Sequence, residues 1–192
     1  MNTSATAIVL VEFQKQWTEP GLFHRLIRHQ LESRDVVGKT RYLVTEARRR
    51  GATIVHAPLV VDPYDKRGWL AYLTFGRIFT KGTWKAELVP GLYEEGDPIA
   101  QRQHYNLSAF DAFFESDLEQ VLNDHGIKHM FICGFATDQC PAKTLRTALR
   151  RGFDAYLVSD CTATFNGFFQ RRTERQHREH TVTAQALLAR LS

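Results

Sequence analysis

The sequence predicts a single three-layer α/β/α domain built on a mainly parallel sheet of five or six strands, with strand order 3-2-1-4-5. Short apolar runs alternate with longer helical patterns, and strands joined by helices pair in parallel through right-handed crossovers. The chain has 192 residues, enough for one domain with a sizeable core. Residues 1–192 contain no repeat or low-complexity tract that would divide them.

The strands are predicted from continuous apolar runs, which are typical of parallel strands buried on both faces. These runs predict strands 1 to 5 at residues 7–12, 53–57, 98–104, 129–134 and 155–159. The third run is the weakest of the five. A long irregular segment, residues 59–97, separates the second and third strands and is rich in glycine, proline and aromatic residues. Connections of this length are usually functional, so we expect substrate specificity to depend on it.

The helices are predicted from cap signals and apolar spacing. The patterns predict helices at residues 34–50, 117–123, 142–151 and 171–191. Ser33 and Ser116 are the expected N-caps of the first two helices. Glycines follow the first three helices, at Gly51, Gly126 and Gly152, where a left-handed residue ends a helix at no steric cost.

Chemically capable side chains follow several of the predicted strands. In a sheet of this kind, ligands bind at the carboxyl ends of the strands. The residues expected there are Glu12, His56, His104, Cys140 and Asp160. Their convergence is the main argument from the residues alone that the protein is an enzyme.

Cys140 is the most informative of these residues, because it lies at a strand-to-helix turn. The positive end of a helix dipole lowers the pKa of a thiol and favours the nucleophilic thiolate. Glu12 can act as a general base, and His104 as a base or an electrostatic partner. The backbone N–H of Cys140, with another from the preceding loop, can stabilise an oxyanion. Structural alternatives are a packed thiol, a Glu12 carboxylate paired with an arginine, and a His104 side chain at the surface.

Composition excludes several other classes of protein. The three cysteines form no C-x-x-C pair, which argues against a disulfide framework, a redox dithiol or a zinc ribbon. The net charge of +4 comes largely from arginine clusters, two of which end predicted helices, so no nucleic-acid partner is expected. No run of eighteen apolar residues and no signal peptide is present, which predicts a cytoplasmic protein without membrane association.

Four ordered motifs resemble those of the isochorismatase-like cysteine hydrolases. They are EFQKQW at 12–17, GTWKAELVP at 82–90 followed by HYNLSAF at 104–110, GFATDQC at 134–140 and DCTAT at 160–164. Together they cover nearly the whole chain and are far more specific than any one alone. Members of this family cleave small amides and ureas with an Asp-Lys-Cys triad, and some hydrolyse the vinyl ether of isochorismate without needing the cysteine.

The resemblance implies roles for particular residues of this chain. Cys140 is the expected nucleophile, and Ala136 and Cys140 supply the oxyanion N–H groups, with a non-proline cis peptide before Ala136. Glu12 stands at the aspartate position and His104 at the lysine position, so a variant Glu-His-Cys triad is predicted. The resemblance also allows a catalytically impaired relative that binds a ligand or acts as a scaffold, or an isochorismatase-type vinyl-ether hydrolase.

The remaining expectations concern ligands and partners. A small-molecule substrate is expected to contact Gln14, Trp17, Trp84 and Tyr105, with the two tryptophans walling an apolar pocket. Metal-using nicotinamidases place an Asp-x-His set near His56, but no second histidine follows here, so neither a metal nor another cofactor is expected. The family sheet normally gains a sixth strand after the last helix, and we expect its loss here to leave an edge. That edge, or residues 69–84, would form contacts in a homo-oligomer, a dimer or tetramer.

Overall fold

In the parts of the chain that the structure describes, five parallel strands form the sheet. The computed structural model describes residues 1–62, 78–102 and 110–191. The strands are β1 (Thr6–Val11), β2 (Thr53–Ala57), β3 (His129–Phe135), β4 (Asp154–Ala163) and β5 (Thr181–Val182), in the order β2-β1-β3-β4-β5. The α-helices are α1 (Lys15–Thr18), α2 (Leu22–Ser33), α3 (Val36–Arg49), α4 (Leu118–Asp124), α5 (Cys140–Arg150), α6 (Gly167–Gln176) and α7 (Ala184–Leu188). The predicted fold class is confirmed.

Two apolar layers cover the two faces of the sheet. Successive side chains of a strand point to opposite faces, so β1 contributes to both layers. Ile8 and Leu10 belong to the cluster that contains the buried residues of α2, α3 and α7. Val9 and Val11 belong to the cluster that contains those of α4 and α5. In the described parts of the chain, no helix is long and apolar enough to cross a membrane.

The predicted third strand, residues 98–104, is wrong as a regular strand. Its described part forms one parallel bridge, between Ile99 and His56 of β2, on the predicted side of the sheet. The chain then leaves the sheet because the N–H of Gln101 donates to Asp117 Oδ1 at 2.6 Å rather than to β2. Arg102 forms an antiparallel bridge with Ser116 instead. Residues 103–104 lie outside the described residues.

The predicted last helix, residues 171–191, is wrong in its middle. Helix α6 ends at Gln176, and Thr181 and Val182 form β5 beside β4. The β-branched residues at 181–183 favour extended backbone, and the Thr183 side chain then caps α7. The sheet edge at β4 is therefore extended by a short strand that the sequence patterns did not predict.

The first predicted helix also begins later than expected. Ser33, its predicted N-cap, is instead the last residue of α2, a helix that was not predicted. Helix α3 starts at Val36, after Asp35 in a left-handed conformation. Two helices joined by a sharp turn therefore occupy a segment in which one was expected.

Gly134 brings the end of β3 against the end of β1. Its partner in the register is Val11, and its φ of +134° lies in a region that side chains rarely adopt. A Cβ atom at position 134 would lie 1.8 Å from the carbonyl oxygen of Val11. The glycine is required for this close approach, which brings the turn after β3 next to Glu12.

Candidate active site

Glu12 and Cys140 meet in the interior at the carboxyl ends of the strands. Glu12 directly follows β1, and its left-handed φ of +56° turns the chain out of the sheet. Cys140 is the first residue of α5. The two side chains are close enough to shift each other's pKa, and the residues are only 1% and 3% exposed. A carboxylate and a thiol are thus held together away from water.

Burial dominates the titration of both groups. It raises the pKa of Cys140 well above its usual value, and the negative charge of Glu12 raises it further. Burial also raises the pKa of Glu12, against the opposing effects of its polar neighbours. The predicted lowering of the Cys140 pKa is therefore wrong, because desolvation and a neighbouring carboxylate outweigh the helix dipole. In the resting site the sulfur is a protonated thiol beside a potential base.

Arg102 is a cation that lies beside this pair, and the sequence patterns did not predict it. Its Nη1 atom lies 3.5 Å from Glu12 Oε1 and donates to the carbonyl oxygen of Ala57 at 3.2 Å. The guanidinium is buried with the carboxylate. The alternative that Glu12 pairs with an arginine is therefore correct, and the carboxylate contacts Cys140 as well. Arg102 lies inside the predicted third strand, two residues before His104, which stands at the family's lysine position. Nothing in the sequence distinguishes it from other arginines, and its role becomes visible only through its contact with Glu12 in the structure.

Two backbone N–H groups of the turn that leads to Cys140 have no acceptor among the described residues. Within residues 1–62, 78–102 and 110–191, the N–H groups of Ala136 and Cys140 donate to no other protein group. Their neighbours are engaged, because Thr137 N–H donates to Ala163 at 3.1 Å and Gln139 N–H to Ala136 at 2.8 Å. The peptide before Ala136 is cis, as the resemblance implied. An oxyanion hole requires free backbone donors of this kind in the turn that carries a nucleophile.

Side-chain hydrogen bonds brace the turn that carries these groups. Thr137 Oγ1 donates to Gln170 Oε1 of α6 at 2.7 Å, and the Thr164 hydroxyl donates to Asp138. The N–H of Ala142 returns to the carbonyl oxygen of Thr137 at 3.1 Å. The turn between β3 and α5 is therefore held from both sides, which limits movement of the sulfur relative to Glu12.

The predicted substrate-binding residues lie in different surroundings. Gln14 is buried and uses both amide hydrogens on backbone carbonyls, those of Leu59 and Ala86, at 2.9 and 3.1 Å. It therefore ties two loops to the end of β1 and has no free N–H for a ligand. Tyr105, like the predicted catalytic His104, lies outside the described residues.

The two predicted tryptophans do not share one pocket wall. Trp17 is buried, packs against Phe135 with ring centroids 6.0 Å apart, and acts to lower the pKa of Glu12. Its indole N–H has no hydrogen bond of normal geometry with any residue that the structure describes. Trp84 is 42% exposed and lines an open depression of about 450 Å³ beside Pro20. Only Trp17 belongs to the surroundings of the buried pair.

Two other strand-end residues have structural surroundings. His56 lies 3.4 Å from Asp97, which is also bound by Arg48 at 2.6 Å. Asp160 lies within β4, which is longer than predicted, and accepts the N–H of Ala184 at 2.8 Å. Of the four convergent residues that the structure describes, it thus brings Glu12 and Cys140 together, and His104 lies outside the described residues. Among the described residues, no three His, Cys, Asp or Glu side chains cluster as metal ligands would.

Comparison with known proteins identifies the class that this fold and site define. The isochorismatase domain matches residues 6–186, and the chain belongs to the isochorismatase family of hydrolases. A cysteine hydrolase from Pseudomonas syringae pv. phaseolicola 1448A has a similar structure, with a TM-score of 0.83, 20% identity, and coverage of 100% of this chain and 94% of that one.

Two further structures are similar and carry more specific names. One is the N-carbamoylsarcosine amidase of Thermoplasma acidophilum, with a TM-score of 0.74, 20% identity, and coverage of 93% of this chain and 96% of that one. The other is the pyrazinamidase of Pyrococcus horikoshii in complex with zinc, with a TM-score of 0.71, 22% identity, and coverage of 93% and 99%. At these identities the likeness establishes a shared fold.

Proposed function

We propose that the protein is a cysteine hydrolase that cleaves a carbon–nitrogen bond of a small amide or N-carbamoyl compound. The observation that carries this proposal is the contact between the Glu12 carboxylate and the Cys140 thiol, beside free N–H groups. The names of two structures with the same fold, an N-carbamoylsarcosine amidase and a pyrazinamidase, support this substrate class.

The proposed first half-reaction forms a thioester. The Cys140 sulfur attacks the carbonyl carbon while Glu12 takes the thiol proton. The carbonyl oxygen becomes an oxyanion that accepts hydrogen bonds from Ala136 and Cys140, and loss of one such donor typically costs about 100- to 1,000-fold in rate. When the intermediate collapses, the carbon–nitrogen bond breaks and Glu12 returns its proton to the leaving nitrogen.

The second half-reaction hydrolyses the thioester. Glu12 takes a proton from water as the water oxygen attacks the same carbonyl carbon. A second oxyanion forms at the same N–H groups and collapses with cleavage of the carbon–sulfur bond. The sulfur then regains its proton from Glu12, which restores the resting site. One carboxylate therefore performs every proton transfer, and burial, which raises its pKa, makes it a stronger base than an exposed carboxylate.

The experiment is a substrate panel with variants of the cysteines. Purified protein is assayed for ammonia release from small primary amides and N-carbamoyl amino acids, and for hydrolysis of isochorismate. We expect turnover of an amide or carbamoyl compound, abolished in Cys140→Ala with unchanged circular dichroism. Cys161→Ala, which removes another buried thiol, is the matched control and should retain turnover.

Three results would contradict the proposal. Undiminished turnover by Cys140→Ala would remove the thioester mechanism. Binding without turnover would instead support the second candidate function, a ligand-binding relative, which the raised pKa of the resting Cys140 thiol favours. Hydrolysis of isochorismate alone would indicate a vinyl-ether hydrolase.

A further inference from the structure

We propose that Arg102 is the positioning cation of this site, and that it stabilises one negative charge whether the charge lies on Glu12 or on the Cys140 sulfur. The inference rests on the proposed function, because it assigns the charge balance of the same proton transfer. It differs from the expectation carried by the family resemblance, which places the cationic partner at His104.

The backbone holds Arg102 in place from two sides. Ile99 pairs with His56 of β2, and Arg102 itself forms an antiparallel bridge with Ser116. Between them, the N–H of Gln101 is fixed by Asp117 Oδ1 at 2.6 Å. The short segment 99–102 is therefore anchored between the sheet edge and the start of α4, which fixes the Cα of Arg102 relative to the strand ends.

The guanidinium bridges the ends of two strands. Nη1 donates to the carbonyl oxygen of Ala57, the last residue of β2, and lies 3.5 Å from Glu12 Oε1, directly after β1. The Arg102 and Glu12 side chains are only 1% and 2% exposed, so water screens their attraction little. An unpaired carboxylate at this depth would be costly, and Arg102 is a buried ion of opposite charge that compensates it.

The charge count explains why the cation suits proton transfer. Before transfer, Glu12 is the anion and Cys140 is neutral. After transfer, Glu12 is neutral and the sulfur is the anion. Burial raises the pKa of both groups, and the positive charge of Arg102 acts in the opposite direction on each. Among Glu12, Cys140 and Arg102, there is therefore one cation and one anion in both states.

Arginine and histidine differ in how reliably they supply this charge. The guanidinium is protonated at every pH at which a protein is folded, whereas an imidazole with a pKa near 6.5 is only partly charged at neutral pH. A permanently charged Arg102 also cannot exchange protons with the substrate. It therefore acts through Glu12 and Cys140, and proton transfer remains the task of Glu12.

The test compares the pH dependence of kcat/KM in four variants. Arg102→Met should move the acid limb to higher pH by about 1 to 3 units, because Glu12 loses its favourable neighbour. Arg102→Lys keeps the charge and should keep the acid limb near its wild-type position. Arg151→Met, which removes a surface arginine paired with Glu119, should leave the profile unchanged. If His104→Gln moves the acid limb and Arg102→Met does not, the cation is His104 and the inference is wrong.

A second measurement does not depend on turnover. The rate of Cys140 alkylation by iodoacetamide, followed by mass spectrometry against pH, should show the same displacement in Arg102→Met. An inactive wild-type protein would therefore contradict the proposed function alone. An active protein whose alkylation profile is unmoved in Arg102→Met would contradict the role of Arg102 alone.

Folding is controlled with a variant that removes both charges. Arg102→Met leaves a buried carboxylate unpaired and is expected to lower thermal stability, which Glu12→Gln/Arg102→Met should partly restore. If the single variant does not fold, the double variant is compared with Glu12→Gln. Loss of the Arg102 charge should then raise the pH at which Cys140 is alkylated in the double variant above that in Glu12→Gln. An unchanged alkylation pH in that comparison would overturn the inference.

Discussion

Glu12 is a carboxylate with almost no access to solvent, and its contacts determine what it can do. It touches a thiol that holds a proton and a guanidinium that favours its ionised form. Burial pushes its pKa upward and Arg102 restrains that rise. At the residue scale, the proposed chemistry depends on this balance, because a base must be ionised before attack and protonated after it.

Single residues at the strand ends were predictable to different degrees. Glu12 and Cys140 could be predicted because each adjoins a buried apolar run, and such runs locate the reactive edge of a parallel sheet. The raised pKa of Cys140 could not be predicted, since it depends on burial and on a carboxylate 128 positions away along the chain. His56 ends a strand in the same way but binds Asp97, which shows that strand-end position alone does not establish a catalytic role.

His56 gives a prediction for stability against pH. Burial lowers its pKa below the unfolded value near 6.5, while Asp97 acts in the opposite direction. Its contribution to stability is therefore present above about pH 6.5 and is lost as the pH falls through the folded pKa. Urea unfolding between about pH 7.5 and pH 5 should show a falling free energy of unfolding in the wild type and a shallower fall in His56→Gln.

The control for this prediction is His125→Gln, at an exposed position at the end of α4. It should retain the wild-type dependence on pH. An equally steep fall in the His56 and His125 variants would show that other groups cause the acid sensitivity.

At the scale of elements, the close approach of β1 and β3 sets the geometry of the site. Gly134→Ala would place a Cβ atom 1.8 Å from the carbonyl oxygen of Val11, at a φ that side chains rarely adopt. We expect a loss of about 3 kcal/mol or more in the free energy of unfolding, measured in urea. Gly152→Ala is the matched control, because its φ is +85° but no atom lies within 4 Å of the added Cβ.

The control should cost only about 1 to 2 kcal/mol, the usual penalty for a left-handed residue with a side chain. Equal losses in the two glycine variants would mean that backbone conformation, and not the contact with Val11, makes Gly134 necessary.

Elements with many buried contacts were easier to predict than those at the sheet edges. The central strands are continuous apolar runs, and their predicted limits lie within one residue of β1, β2 and β3. The edges depend on one or two backbone pairs: Ile99 on one side and Thr181–Val182 on the other. One or two residues are too few to show the periodicity of a strand. At 181–182 the helical composition of the surrounding sequence therefore decided the prediction, despite the β-branched side chains of these two residues.

For the whole molecule, membership of the isochorismatase family and the parallel sheet account for where the site lies. The strands end at one edge, the helices cover both faces, and the turn after β3 carries the sulfur to Glu12. A homo-oligomer stays a prediction, and light scattering that gave a monomer at working concentration would contradict it. Substrate specificity could not be predicted, because the irregular segment at 59–97 has no periodicity from which to derive its fold.

The most direct test of the account is acyl transfer from p-nitrophenyl acetate at neutral pH. The wild-type protein should release a burst of p-nitrophenol and carry an acetyl group on the peptide that contains Cys140. Glu12→Gln should form the same adduct more slowly by about 100- to 10,000-fold, because the general base is lost. An acetyl group on a different residue, or an equal rate in Glu12→Gln, would contradict the claim that Glu12 activates Cys140.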